Sequence, residues 1–249
     1  MSLLSIVIPV FNEEESIEET VKRLLDLEHS FNQKGVELEL LFVNDGSQDK
    51  SLSILKDRAA ENYKIKILSF SRNFGHQIAI TAGIDESRGD YIAIIDADLQ
   101  DPPELIFDMY IKCIEGYDVV YGKRKSRAGE TLFKKFTASL FYKFLDFMSE
   151  IRIPRDTGDF RLFNRKVADA LGQMRESHRF MRGMIPWIGF KEIALEYDRS
   201  ERYAGETKYP LKKMIQFAIN AILSFSSKPL TLAIRLGTFI TSVGFAGGC

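Results

Sequence analysis

Two aspartates, Asp96 and Asp98, stand one residue apart at the end of an apolar run, with Gln100 and Asp101 just beyond them. Carboxylates crowded in this way repel one another unless a cation or a hydrogen-bond donor intervenes. Hard divalent cations such as Mg2+ and Mn2+ take oxygen ligands, commonly one or two carboxylates together with substrate phosphates, so this cluster suits a metal held on a diphosphate. The competing account is an acidic N-cap for a helix opening at Pro102 and Pro103; it explains Asp101 directly.

Asp45, Gly46, Ser47 and Asp49 form a second polar group. Alone they read as a turn and a helix cap, because Asp, Gly and Ser are favoured there for backbone reasons. A third group, Asn12 and Glu13, follows the apolar stretch ending at Val10. Lys123, Arg124, Lys125 and Arg127 make a basic run, with Lys134, Lys135 and Ser139 after it. Such runs are usually solvated faces, but a bound anion needs cations of this kind.

Several classes of chemistry are disfavoured. Neither a Walker A sequence nor a GxGxxG fingerprint is present, which argues against a P-loop ATPase and a dinucleotide oxidoreductase. The histidines His29, His76 and His178 show no metal spacing and no Ser/His/Asp arrangement, so they are assigned no catalytic role. Cys113 and Cys249 are too few for a disulfide framework, which fits a reducing, cytosolic face. A net charge of -1 gives no reason to expect a nucleic-acid partner.

The elements that must position these groups follow from the hydrophobic pattern. Apolar runs at Leu4 to Val10, Leu38 to Val43, Ile65 to Phe70, Tyr91 to Ile95 and Val119 to Tyr121 have the character of buried strands. Helical patterns at Ser16 to Phe31, Ser51 to Glu61, Gln77 to Ser87 and Pro103 to Glu115 alternate with them. The expectation is an α/β fold, a mostly parallel sheet flanked by helices, with ligands bound beyond the carboxyl ends of its strands. The three polar groups then share one crevice. The second half is less regular: a Phe-rich helical stretch at Leu132 to Met148, a short segment at Asp156 to Phe163, whose residues Asp156 to Asp159 can be read simply as a turn, and a strand at Phe190 to Tyr197. Trp187 is expected to pack, with a place at a bilayer interface as the alternative.

One domain is expected over residues 1–209. Residues 210–228 place Lys213, Gln216, Asn220, Ser224 and Ser227 three or four apart, the pattern of an amphipathic helix lying on a bilayer. Residues 229–249 carry Arg235 as their only charge. They are expected to open a membrane segment that continues past Cys249, because about 14 residues after Arg235 fall short of the roughly 20 that span a bilayer.

The succession Pro9-Val10-Phe11-Asn12-Glu13-Glu14, Asn44-Asp45-Gly46-Ser47 and Asp96-Ala97-Asp98-Leu99-Gln100-Asp101 resembles glycosyltransferase family 2. More narrowly it resembles the polyprenyl-phosphate glycosyltransferases, such as dolichol-phosphate mannose synthase and bactoprenol glucosyltransferase. The resemblance continues through Asp156-Thr157-Gly158-Asp159-Phe160-Arg161-Leu162, whose form leans toward the bactoprenol branch, to Arg202-Tyr203-Ala204-Gly205-Glu206-Thr207-Lys208. It implies a GT-A-type sheet.

Carried over by position, it implies that Pro9, Phe11, Glu13 and Asp45 hold the nucleoside, that Asp96 meets the ribose or diphosphate, and that Asp98 and Gln100 ligate Mg2+ or Mn2+. Arg202 and Lys208 would close over the phosphates. Asp159, with Asp156 behind it, would serve as base or position the acceptor, whose phosphate would meet Arg124, Lys135 and Ser139. Position 44 is Asn, so a second carboxylate beside Asp45 is missing.

The implied activity is inverting transfer of a hexose, glucose foremost, from a UDP-sugar to a polyprenyl phosphate such as undecaprenyl phosphate. It would take place at the cell membrane with the catalytic domain on the cytoplasmic face, and it leaves a homo-oligomer open. The alternatives are transfer from GDP-mannose and a non-catalytic membrane scaffold that binds nucleotide-sugar.

Overall fold

Strands buried on both faces need apolar side chains at successive positions, and the stretch from Leu4 to Val10 provides them. In the computed structural model, which describes residues 2–125, 157–174, 176, 179–198 and 228–247, this stretch lies in the central strand β1 (Ser2–Val10). The chain divides into two compact units, Met1–Ser126 with Pro154–Thr207, and Arg127–Ile153 with Lys208–Cys249.

The first unit is built on a seven-stranded sheet. Besides β1 it contains β2 (Val36–Asn44), β3 (Ile65–Ser69), β4 (Tyr91–Ile94), β5 (Val119–Arg124), β6 (Thr157–Asn164) and β7 (Glu192–Tyr197). Their order is β3-β2-β1-β4-β6-β5-β7. Every pairing is parallel except those of β6, which runs antiparallel to β4 and β5. The chain winds outward from β1 to β3 on one side and then crosses to β4 on the other. The switch point, where such sheets bind ligands, therefore lies between the carboxyl ends of β1 and β4.

Helices α1 (Ile17–Asp26), α2 (Glu28–Asn32), α3 (Ser51–Glu61), α4 (His76–Glu86), α5 (Leu105–Ile114), α6 (Arg165–Gln173) and α7 (Met181–Ile188) belong to this unit. Leu4, Ile6, Ile8 and Val10 share one core cluster with Ile17, Val21, Leu24, Phe31 and Met109. Phe31 sets its edge against Phe107 and Tyr110 at 5.2 and 5.5 Å. On the other face α4 comes close to β1: a Cβ at Gly83 would lie 2.2 Å from Val7 Cγ1.

Two elements differ from the sequence expectation. The single helix expected over Ser16 to Phe31 is divided at Leu27, whose amide bonds Leu24 O at 3.3 Å. That contact spans three residues instead of four and tightens the turn, leaving Leu27 and Phe31 both buried. The turn reading of Asp156 to Asp159 does not hold for its described residues, because Thr157–Asn164 is strand β6. Its alternation is obscured because Asp159 and Arg161, 2% and 4% exposed, are buried on a strand that is covered on both faces.

In the second unit the described element is helix α8 (Lys228–Gly247). It exposes Ile234, Phe239, Ile240, Val243 and Phe245, while the hydroxyls of Thr238, Thr241 and Ser242 donate to carbonyls one turn back. Among the described residues no helix is long and apolar enough to cross a membrane. The amphipathic helix expected over 210–228 and the Phe-rich stretch at Leu132 to Met148 lie outside the described residues, save Lys228.

Gly46 and Gly35 share nearly the same left-handed backbone, at φ +69 and +70, but a Cβ at Gly46 would fall 2.4 Å from the Arg72 carbonyl carbon whereas one at Gly35 would meet nothing within 4 Å. Gly35→Ala is therefore expected to cost about 1 kcal/mol from backbone strain alone. Gly46→Ala adds a clash with backbone and should cost about 2–4 kcal/mol. Urea unfolding midpoints of the two variants provide the measurement; equal losses would contradict the close packing of the Arg72 turn.

Candidate active site

The turns leaving β1 and β2 are fastened to each other by side chains bonding to backbone. Asn12 N donates to Ser47 Oγ at 3.0 Å, Gln48 N to Asn12 Oδ1 at 2.8 Å, and Glu13 N to Ser51 Oγ at 2.8 Å. Asn12 holds a left-handed conformation, φ 53, which Asn tolerates better than most residues. Pro9 is buried within β1 opposite Val43, while Phe11 and Glu13 lie half-buried beyond the strand's end. The Glu13 carboxylate accepts from Ser16 Oγ at 3.2 Å.

Asp45, at the exit of β2, is 2% exposed and occupied by the turn before α4. It accepts from Phe74 N at 2.6 Å, Gly75 N at 2.9 Å and Asn73 Nδ2 at 3.0 Å. Asn44 has structural work of its own: its amide donates to Ser69 Oγ at 3.0 Å and accepts from Ser47 N at 3.2 Å.

At the exit of β4, Thr20 Oγ1 donates to Ala97 O at 2.9 Å and pins the loop to α1. Leu99 adopts φ 57, a strained backbone for a bulky residue, while Gln100 N donates to Asp98 Oδ1 at 3.1 Å and closes a tight turn around that carboxylate. Asp98 and Asp101 are buried. Asp101 accepts from the Tyr197 hydroxyl and lies 3.6 Å from Arg124 Nη2, and Arg124 Nε donates to the same hydroxyl at 3.3 Å.

Asp96 differs from its neighbours. Its side chain is 31% exposed, yet Oδ1 is buried without a hydrogen-bond donor, and His76 Nε2 stands at ion-pair distance, 3.5 Å. Burial, together with the charges of Asp101, Asp159 and Asp98, pushes the Asp96 carboxyl up to about 6 against the pull of His76.

Asp159 reaches this place because β6 is antiparallel. Ile94 pairs with Arg161, so continuing the register by two residues sets Asp159 opposite Asp96. The carboxylate is surrounded by donors. Arg182 Nε donates to Oδ1 at 3.0 Å and its Nη2 to Oδ2 at 3.1 Å. Gln77 Nε2 donates to Oδ2 at 3.0 Å, and His76 Nε2 is 3.2 Å from the same oxygen.

Burial works to raise the pKa of Asp159, but the Arg182 charge and the His76 bond outweigh it and hold the carboxyl well below the usual range. For His76 burial likewise opposes the charge, and Asp96 and Asp159 prevail, lifting the imidazole to about 9. Arg161 donates to Gly158 O at 2.9 Å and Asp159 O at 3.2 Å, and burial brings its guanidinium down to about 10.

The structure thus gathers Asp96, Asp98, Asp101, Arg124 and Asp159 at the strand ends, and adds His76, Gln77 and Arg182, which the sequence had not marked. Their signal was weak: His76 and Gln77 merely open a helix, and Arg182 lies 23 residues from the carboxylate it grips. Trp187, expected to pack, is 60% exposed near the end of α7, although the preceding turn buries Gly183 and Met184. Asp156, Lys135, Ser139, Arg202, Lys208 and His178 lie outside the described residues.

Among the described residues no group of three or more His, Cys, Asp or Glu is arranged to hold a metal by itself. The unmatched Asp96 Oδ1 and the raised pKa, due first to burial and then to the neighbouring carboxylates, describe a charge that a cation would help to stabilise.

The charge on His76 fixes a sign for stability. Its pKa in the folded chain, about 9, exceeds the unfolded value near 6.5, so the stabilisation is complete below the latter and lost as pH rises through the former. Between pH 7 and 9.5 Asp96 and Asp159 stay ionised. The melting temperature of the metal-free protein should fall across this window by more than that of His76→Phe; parallel curves from calorimetry would contradict the charged imidazole.

Comparison with known proteins agrees with this geometry. The model of glycosyl transferase family 2 matches residues 5–172. An uncharacterized glycosyltransferase of Bacillus subtilis (strain 168), YkcC, is 54% identical over 241 residues, covering 97% of this chain and 74% of that protein. A prophage bactoprenol glucosyl transferase homolog of Escherichia coli (strain K12) is 40% identical over 245 residues, covering 98% and 79%. Among solved structures, glucosyl-3-phosphoglycerate synthase from Mycobacterium tuberculosis in complex with Mn2+, UDP-glucose and glycerol 3-phosphate superposes with a TM-score of 0.54 at 18% identity, over 90% of this chain and 78% of that one. That likeness concerns the fold, which is of the GT-A type. A mostly parallel sheet with carboxylates at its switch point, matched by a family model over most of its length, makes this chain a member of glycosyl transferase family 2.

Proposed function

We propose that this glycosyltransferase moves a hexose, glucose foremost, from a UDP-sugar to a polyprenyl phosphate such as undecaprenyl phosphate, with inversion at the anomeric carbon and with Mg2+ or Mn2+. One observation carries the reading: Asp96 and Asp98 leave β4 together at the sheet's switch point, and Asp96 Oδ1 is buried there without a hydrogen-bond donor. The bactoprenol glucosyl transferase homolog, at 40% identity, supports the acceptor class.

Asp98 and Gln100 would hold the cation, which when bound supplies positive charge to the departing nucleoside diphosphate. Pro9, Phe11 and Glu13 would border the nucleoside. Asp45 would act there through the Asn73–Gly75 turn that its carboxylate holds. Asp96 would meet the ribose or diphosphate. By resemblance, Arg202 and Lys208 would cover the phosphates, while Lys135 and Ser139 would join Arg124 at the acceptor, with Asp156 behind Asp159.

A phosphate monoester has a second pKa of about 6 and attacks as an anion at pH 7, so a strong general base is unnecessary. Asp159, with both oxygens taken by Arg182, Gln77 and His76, is suited to hold cations in place and to stay charged. In this reading residues 1–209 form the catalytic domain. The apolar side chains exposed on α8 support attachment to a membrane, and we place the catalytic domain on its cytoplasmic face.

Membranes carrying the protein, given Mg2+, undecaprenyl phosphate and a panel of UDP- and GDP-sugars, should form labelled lipid from UDP-glucose. Chelator should abolish the transfer and added Mg2+ or Mn2+ restore it, and Asp98→Asn should lower kcat/KM about a hundredfold or more. Transfer from GDP-mannose alone would overturn the donor assignment, and undiminished turnover in chelator would overturn the metal.

A further inference from the structure

Two buried aspartates on different strands converge on one short segment. Asp45 accepts from Asn73 Nδ2, Phe74 N and Gly75 N. Asp159 takes the side chains of His76 and Gln77. Every residue from Asn73 to Gln77 is thus held by one carboxylate or the other.

The same segment contains Gly75 at φ +106, where a Cβ would meet nothing within 4 Å, so its backbone angle and not lack of space calls for glycine. Gln77 is fastened a second time, its Oε1 accepting from Met181 N at 3.0 Å, and the adjacent Arg182 grips Asp159.

Ordering backbone in this way costs conformational entropy at every residue held. Core packing does not account for it, because Phe74 and Ile78 are exposed. What the clamps do fix is the His76 ring, one-third exposed, with Nε2 3.2 Å from Asp159 Oδ2 and 3.5 Å from Asp96 Oδ1.

We infer that His76 is a positioning residue of the donor site: set by the Asp45 and Asp159 clamps, it orients the Asp96 carboxylate toward the ribose or diphosphate of the nucleotide. This rests on the donor role proposed for Asp96. His76 acts through that carboxylate and needs no proton transfer. A rigid ring suits the task, because Nε2 stays 3.5 Å from Asp96 Oδ1 once the ring is fixed, whereas a lysine would swing on a flexible stem.

The test uses the purified chain, with UDP affinity by titration calorimetry in Mn2+ and donor KM measured with UDP-glucose. His76→Phe keeps the ring and removes the donor; it should weaken UDP binding and raise donor KM about tenfold, with acceptor KM unchanged. His76→Gln, which retains a side-chain N–H, should recover part of the loss. Against an Asp96→Asn background the His76→Phe effect should vanish.

Should the phenyl ring unfold the chain, His76→Asn, too short to reach Asp96, takes its place with the same expected loss. A folded variant that binds UDP as the unaltered protein does, or a loss that simply adds to that of Asp96→Asn, would overturn the inference. If the unaltered protein bound no nucleotide, both this inference and the donor reading would fall together.

Discussion

A carboxylate cannot remain ionised in a protein interior unless its charge is answered, and the answer given to Asp159 organises this site. Arg182 comes from α7, His76 and Gln77 from the start of α4, and the aspartate itself from β6. Buried ion pairs of this kind add little net stability, but removing one partner leaves the other exposed to the full cost of burial. Three elements are therefore committed to one geometry, and the antiparallel direction of β6 makes the meeting possible by bringing the beginning of that strand to the ends of its parallel neighbours.

The opposite region of the sheet shows what a purely structural buried carboxylate looks like. Glu39, 4% exposed, accepts from Ser5 Oγ at 2.5 Å and from Lys66, and Ser5 Oγ in turn accepts from Gly89 N at 2.8 Å. Burial opposes its charge, but these bonds together keep the pKa below the ordinary value. Asp96 has the contrary character, with one oxygen unmatched and a pKa moved upward. The two carboxylates share a chemistry and differ in what the fold leaves for a ligand to complete.

Left-handed backbone recurs in the loops around the same crevice. Asn12, Gly46, Gly75 and Leu99, all at positive φ, lie in the turns following β1, β2, β3 and β4. These turns are held mostly by side chains bonding to backbone, which lets short loops bend sharply while their amides remain satisfied. Membership of glycosyl transferase family 2 gives this concentration a purpose, since a glycosyltransferase site must place several groups on loops without letting them move freely.

The sequence by itself determined the parallel core and the sheet edge at which the candidate groups stand. Unbroken apolar runs such as Leu4 to Val10 announce strands buried on both faces, and polar residues directly after them mark the ligand edge. Asp96, Asp98 and Asp159 were legible because local motifs carry them. Strand β6 was not, because its buried Asp159 and Arg161 interrupt the pattern that reveals strands. Nor were His76 and Arg182, or the occupation of Asp45 by the turn before α4. Those facts depend on which distant side chains meet when β6 enters the sheet backward, and a contact between residues far apart in the chain leaves no periodicity or spacing for a single sequence to display.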